Sequence, residues 1–432
     1  MRRLSFVLAL LLAAAALGAD GWERLYASRL EASATYLEAK LALKSAELTL
    51  SSYLRPYIPT LAIATSTGAA LSLGSDGFSA GILTPSVTFE NLFGADLSLK
   101  APIKASSSGG LSLGNPSLSL TRDLFVETGA DRLDAEAGVM TAKAAIKKVK
   151  DAIRIDLATE ILNATYYLQL LEANKGNLLV LERVRKATVN PIQLRELDRR
   201  VLGAQKSVLI ASNTLANLGE EIKNNADSLY EEVLRMQAAW TAAIDENAPE
   251  GSLAIRALEI SLDAARKRED FSILPYLPNP SITTSLAYDM DNQRVDWGLS
   301  LSLSYKAIDK GERSLSALKR GEYPKIIALK LEDARKAFVE GIRKTKDTLT
   351  ILDLDKRLQE LDIADAQDYV TLLERLYKGG YASEEDLVIA QIDLSVEKLD
   401  ARKISHDMLI QTLNLANYYD SGEERETPAA GS

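Results

Sequence analysis

The sequence predicts a mainly α-helical chain that also carries the strands of a membrane β-barrel, folded as two copies of one helix–strand–strand–helical hairpin unit. Three observations lead there. Pro56-Tyr57-Ile58-Pro59 and Pro275-Tyr276-Leu277-Pro278 each stop a helical pattern, and each is followed by alternating strand residues, Leu61 to Ser66 and Ser281 to Leu286. Proline cannot continue a helix and pushes the residue before it toward extended geometry. The two longest helical patterns carry narrow apolar stripes at steps of three and four, the pattern of coiled-coil packing rather than of a globular core. After the N-terminal leader no apolar run reaches the ~18 residues of a transmembrane helix, so a membrane crossing would require a closed barrel.

Residues 1–19 read as a secretory signal peptide: Arg2 and Arg3 supply the charge, Leu4 to Leu17 the apolar stretch, and Ala16-Leu17-Gly18-Ala19 the small residues for cleavage. As a membrane anchor the stretch is too short. Losing it takes the net charge from −9 to about −11. An acidic chain does not suit nucleic-acid binding, which needs a basic face. No cysteine is present, so disulfides and a lipidated N-terminal cysteine are excluded. The single histidine, His406, lies between Ser405 and Asp407 in a helical run, and its expected place is a solvated helix face. No metal, cofactor or catalytic centre is expected, because no nucleophile–base pair or phosphate-binding glycine loop occurs in a suitable context.

The first repeat covers 20–248. Residues 22–55 are helical, with Leu25, Leu37, Leu41 and Leu48 on one face. Over 57–122 charge thins out and period-two alternation appears at Leu61, Ile63 and Thr65, at Leu97 and Leu99, and at Leu118 and Leu120. Within it, 75–110 lengthens the first strand pair. It is read as an added surface hairpin, ahead of the option of six spanning strands per chain. A helical hairpin occupies 125–218. Its first arm of roughly 60 residues would be about 90 Å long, and its tip lies at Asn190-Pro191, where proline suits the first turn of the next helix.

The second repeat covers 249–420, with strands over 276–306 and a helical hairpin over 310–420. Gly379-Gly380 ends the long helix, because glycine tolerates the left-handed cap. Ser383 caps the next helix, with Asp386 three positions on in a capping-box arrangement. The tail, 421–432, is expected to be disordered.

Each half offers one strand pair, and so few strands cannot close a barrel. Open edges in lipid leave amides unpaired, so the chain is expected to pool strands with copies of itself in a cyclic oligomer. Leu, Ile and aromatic residues would face lipid; Ser, Thr and Gly would face a wet lumen. Tyr57, Tyr276, Tyr288, Trp297 and Tyr305 are placed near strand ends, where interfacial aromatics belong. A soluble sandwich is the alternative.

Several motifs carry a family resemblance. They are the two helix-to-strand linkers at Pro56 and Pro59 and at Pro275 and Pro278, the strand-to-helix exits from Leu118 through Asp123 to Arg132 and from Leu301 through Asp309 to Arg313, and Tyr377-x-x-Gly380-x-x-Ser383-x-x-Asp386-Leu387 running on through Ala390-Gln391. In this order and duplication the mature chain resembles the TolC-family outer membrane efflux proteins. The resemblance implies a homotrimer in the outer membrane lipid, with a twelve-stranded barrel and a periplasmic tunnel of helices. It implies an exit duct for efflux or type I secretion, docked to a periplasmic adaptor and an inner-membrane transporter. It also implies a periplasmic gate at the hairpin tips. Asp386 matches the first aspartate of the family's acidic ring, while Ile389 stands where some relatives carry a second and would make the next layer apolar. Glu384 and Glu385 either add negative charge or only stabilise the helix start through its dipole. The other reading is a periplasmic structural or adaptor coiled coil without a membrane barrel.

Overall fold

The computed structural model describes residues 21–65, 73–74, 77–78, 81–92, 94–105, 111–124, 128–246, 252–270, 279–290, 292–304 and 310–419. The leader, the tail, and the linker with Pro275 and Pro278 lie outside them, as do Tyr276 and Tyr305.

The described helices are α1 (Gly21–Ala32), α2 (Ala34–Leu54), α3 (Thr128–Ala187), α4 (Pro191–Ala216), α5 (Glu220–Asn224), α6 (Ala226–Glu246), α7 (Leu253–Asp270), α8 (Glu312–Lys378) and α9 (Glu384–Tyr419). The strands are β1 (Thr60–Thr65), β2 (Leu73–Gly74), β3 (Gly77–Phe78), β4 (Gly81–Leu92), β5 (Ala95–Lys100), β6 (Ile103–Ala105), β7 (Leu111–Leu113), β8 (Ser117–Asp123), β9 (Asn279–Asp289) and β10 (Arg294–Ser304). Pro56 and Pro59 fall between α2 and β1, where the helical pattern gives way to alternation. Helix α8 runs through Pro324, which forfeits one backbone hydrogen bond near its start.

The chain divides into two compact units, each drawing on both halves of the sequence. The first takes the residues up to Glu38, Ala145–Ser252, and those from Lys336 on. Its main core joins Trp22 and Leu25 of α1, Leu157, Ile161 and Leu162 of α3, Ile222 of α5, Leu229 and Val233 of α6, and Leu409 and Leu413 of α9. Burying a large aliphatic side chain contributes about 1.5–3 kcal/mol, so this cluster anchors the unit. Polar contacts fix its register. The Glu232 carboxylate accepts from the amides of Gly21 (3.2 Å) and Trp22 (2.6 Å), satisfying two of the donors that a helix start leaves open. Arg29 forms a two-pronged pair with Glu160 at 2.9 and 2.5 Å.

His406 is not on a solvated face. It is only 5% exposed, with its ring against Tyr230 (centroids 5.5 Å apart) and edge-on to Tyr166 (6.5 Å). Burial, with Arg402 one turn back, pushes its imidazole down to about 4. The expectation failed because the polar neighbours Ser405 and Asp407 say nothing about the two aromatic rings that cover the intervening residue.

The second unit takes Ala39–Ala144 and Leu253–Arg335 and holds the main sheet. All its pairings are antiparallel: β1 with β4, β4 with β5 and β6, β6 with β7, β5 with β8, β8 with β9, and β9 with β10. Strands β4 and β5 therefore lie inside the sheet, between β1 and β8. The segment read from sequence as an added hairpin thus pairs within the main ladder. The strands join the ladder because their backbone groups find partners on both sides. Beside the sheet, Arg268 of α7 bridges Asp131 (2.5 Å) and Asp134 on the first turns of α3.

The buried imidazole sets a pH dependence. The unfolded state takes up the His406 proton near pH 6.5 and the folded state only near 4, so stability is complete above pH 6.5 and is lost as pH falls toward 4, by at most roughly 3 kcal/mol. Thermal melts followed by circular dichroism at pH 7.5 and 4.5 should show this loss, and His406→Phe should shrink it. An unchanged pH dependence in the variant would assign the loss to other groups.

Candidate functional site

The two hairpin tips lie in the first unit and meet. At the first, Asn190 is extended (φ −71°, ψ 122°), its side chain accepts from the Ile192 amide at 2.9 Å, and Pro191 opens α4 without wasting a donor. At the second, Gly380 takes φ +78°. The Tyr381 amide donates to the Leu376 carbonyl at 2.8 Å and the Gly380 amide to that of Tyr377 at 3.0 Å, the paired bonds of a Schellman cap. Ser383 then starts α9. Its hydroxyl accepts from the Asp386 amide (3.1 Å), while the Asp386 carboxylate accepts from the Ser383 amide (3.3 Å) and hydroxyl (2.6 Å). This is a reciprocal capping box.

One hydrogen bond joins the tips directly, from the Thr188 hydroxyl to the Glu385 carboxylate at 3.2 Å. Farther along, Arg200 pairs with Asp393 at 2.6 Å, and the Asn177 amide donates to Ser395 at 3.3 Å. Ile389 packs with Val388 and Ile392 against the buried Leu181, Val184, Leu197 and Val201 of the first hairpin. Within one chain it is therefore seam material between the hairpins. On another face of the same helix, Ala390 and Leu394 are buried with Val370 and Leu373 of α8. Glu384, Glu385 and Asp386 are the first three residues of α9. Glu384 and Glu385 carry no cap bond of their own, whereas Asp386 is tied to Ser383. Thr188, Arg200 and Tyr381, the last 84% exposed, were not singled out from sequence. The single readable signal among them is the pairing of Arg200 with Asp393 at matching positions of the two hairpins.

The sheet has two unlike faces. Paired residues share a face, and one row reads Leu61, Val87, Leu99, Leu118, Leu286, Trp297 from β1 to β10. The row beside it reads Thr60, Thr88, Ser98, Ser119, Ser285, Gly298, on the opposite face. The apolar side is uncovered: Leu61 and Trp297 are each 76% exposed and Leu301 is 68%. Tyr288 lies at the end of β9 as expected, but Trp297 lies inside an apolar row and not at a strand end. On the polar side the hydroxyls of Thr121 and Thr283 lie 3.1 Å apart.

No protein-family model and no curated protein matches the sequence significantly. Solved structures do match the fold. The outer membrane protein VceC from Vibrio cholerae aligns over 93% of this chain and 96% of its own, with 13% identity and a TM-score of 0.58. The open-state MtrE outer membrane channel of Neisseria gonorrhoeae aligns over 93% and 89%, with 15% identity and a TM-score of 0.59. The chain has the TolC-type outer membrane channel fold. The outer-membrane channel OprN shares it over 93% of this chain and 90% of its own, at 12% identity and a TM-score of 0.61.

Asp386→Ala removes the carboxylate half of the capping box, the bonds from the Ser383 amide and hydroxyl, and leaves the Ser383 hydroxyl to accept from the backbone amide of residue 386; the loss should cost about 1 kcal/mol. Hydrogen exchange at the first amides of α9 should speed up accordingly, while Asp386→Asn, whose amide oxygen can still accept, should exchange more slowly than the alanine variant. Equal exchange in all three proteins would show that the carboxylate contributes nothing to the helix start.

Proposed function

We propose that this chain is an outer membrane exit duct and not an enzyme. Three copies pool their strands into a closed barrel, and the helical hairpins line a passage on the periplasmic side that docks to a periplasmic adaptor and an inner-membrane transporter. The observation that carries the reading is the sheet: an exposed apolar face, an opposite face of Ser, Thr and Gly, and outer edges on β1 and β10 with no partner among the described residues. Lipid satisfies the first, water the second, and a neighbouring copy the third. The fold shared with VceC, MtrE and OprN supports it. Native mass spectrometry of the detergent-extracted protein should give three copies, and a stable monomer in micelles would sink the barrel.

The tips at Asn190-Pro191 and Gly380 to Ser383 belong in this reading to the periplasmic mouth. Single cysteines placed there, in a chain that has none of its own, should react from the periplasm and not from outside intact cells. Surface labelling would reverse the topology.

Glu384, Glu385 and Asp386 are proposed as the acidic elements of that mouth. Three copies around one axis would concentrate negative charge and favour cations. Asp386→Asn separates charge from capping. Planar-bilayer recordings of that variant, and of Glu384→Gln with Glu385→Gln, should show weaker cation preference and weaker block by divalent cations on the periplasmic side. Unchanged selectivity in both would restrict these residues to starting the helix.

A further inference from the structure

The register carries the inserted strands further than their presence in the sheet. β5 and β6 share one frame against β4: Ser86 faces Lys100 and Leu83 faces Ile103, so no residue is gained or lost across Ala101-Pro102. The segment from Ala95 to Ala105 is in effect one strand. Its partner is β7 with β8, where the three steps from Lys100 to Ile103 face four steps from Leu113 to Ser117. The extra residue is a bulge at 114–116, held by the Gly114 amide donating to the Pro102 carbonyl at 2.6 Å. Counted straight through, Leu111 and Leu113 would oppose Leu118 and Leu120; the bulge returns all four to one face. A second irregularity between Phe89 and Leu92 keeps Leu92 opposite Ala95 beside the tight turn at Gly94.

The result is a six-strand antiparallel path in the order β1, β4, β5–β6, β7–β8, β9, β10. β4 has 12 residues, and β9 and β10 have 11 each, against the ~9–11 that a tilted strand needs to cross a bilayer. The inserted strands pair at the same level as the strands around them. Their apolar face shows Val87, Phe89, Leu97 and Leu99, in line with Leu118 and Leu120 of β8, while their charges Asp96 and Lys100 lie on the other face with Ser86, Thr88 and Ser98. A hairpin standing in water has no reason to keep one face free of charge beside the Leu118–Leu120 stretch of β8, whose own apolar face meets a charge only at Arg122, near the strand end.

We propose that β4 and β5–β6 cross the bilayer between β1 and β8, so that each protomer supplies six spanning strands and three copies close an eighteen-stranded barrel. Barrel diameter grows roughly linearly with strand number, so the bore is about half as wide again as that of a twelve-stranded barrel. This rests on the outer membrane reading, and the test separates the two. Single cysteines carrying an environment-sensitive fluorophore are placed at Val87, Leu97 and Leu99, at Ser86 and Ser98, and at the controls Leu118 and Leu286. The trimer is reconstituted into phosphatidylcholine vesicles containing nitroxide-labelled lipid. Sites 87, 97 and 99 should be quenched by lipid nitroxide as strongly as 118 and 286, and 86 and 98 by aqueous iodide instead. Quenching at the controls without quenching at 87, 97 and 99 would leave a four-stranded contribution with a water-exposed hairpin and overturn the proposal. No quenching at the controls would overturn the outer membrane reading along with it. Electron cryomicroscopy of the unlabelled trimer gives an independent strand count, and twelve strands in cross-section would falsify the proposal even if a labelled variant fails to assemble.

Discussion

In the proposed membrane setting, edge amides govern the rest of the sheet. A strand with an apolar face can lie against lipid, but its free N–H and C=O groups cannot, since each costs several kcal/mol without a partner. Within one protomer β4, β5, β8 and β9 are paired on both sides, while β1 and β10 are paired on one. In the proposed barrel the sheet is completed when the last strand of one copy meets the first strand of another.

The helical unit meets its own end-group problem locally. Asn190, Gly380 and the Ser383–Asp386 pair close the helix ends at the tips, so the turns are set by their own residues. What joins one hairpin to the other is different in kind: an apolar seam through Ile389 and Ile392, one hydroxyl-to-carboxylate bond at the tip, and the partly exposed Arg200–Asp393 pair. Exposed ion pairs are worth about 0–1 kcal/mol, so the seam holds the hairpins together and the polar contacts set its register.

Features set by local rules were legible in the sequence. Proline at 56 and 59 stops α2 and precedes β1, glycine at 380 ends α8, and Ser383 with Asp386 starts α9, because each depends on backbone geometry within a few residues. β10 was legible because Leu299, Leu301 and Leu303 alternate without interruption. The pairing of the inserted strands was not legible, because two bulges break the count of alternation and only the partner strand shows that the faces are restored. His406 was misplaced for a related reason. Its burial is decided by Tyr166 and Tyr230, which are far away along the chain.

Several hydroxyls on the polar side of the sheet are already engaged with the neighbouring strand. Ser300 donates to the Thr283 carbonyl at 3.4 Å, Ser285 to that of Gly298 at 3.5 Å, Ser86 to that of Ala62 at 3.4 Å, and the Thr121 and Thr283 hydroxyls share a bond. These rows wet readily and hold part of their hydrogen-bonding capacity within the sheet, while Asp96 and Lys100 stand on the same face. Gly298, where an added Cβ would stand 3.0 Å from the Ser285 hydroxyl, leaves that hydroxyl its room. In the proposed barrel, discrimination between solutes then falls to the charged positions of this face more than to its hydroxyl rows.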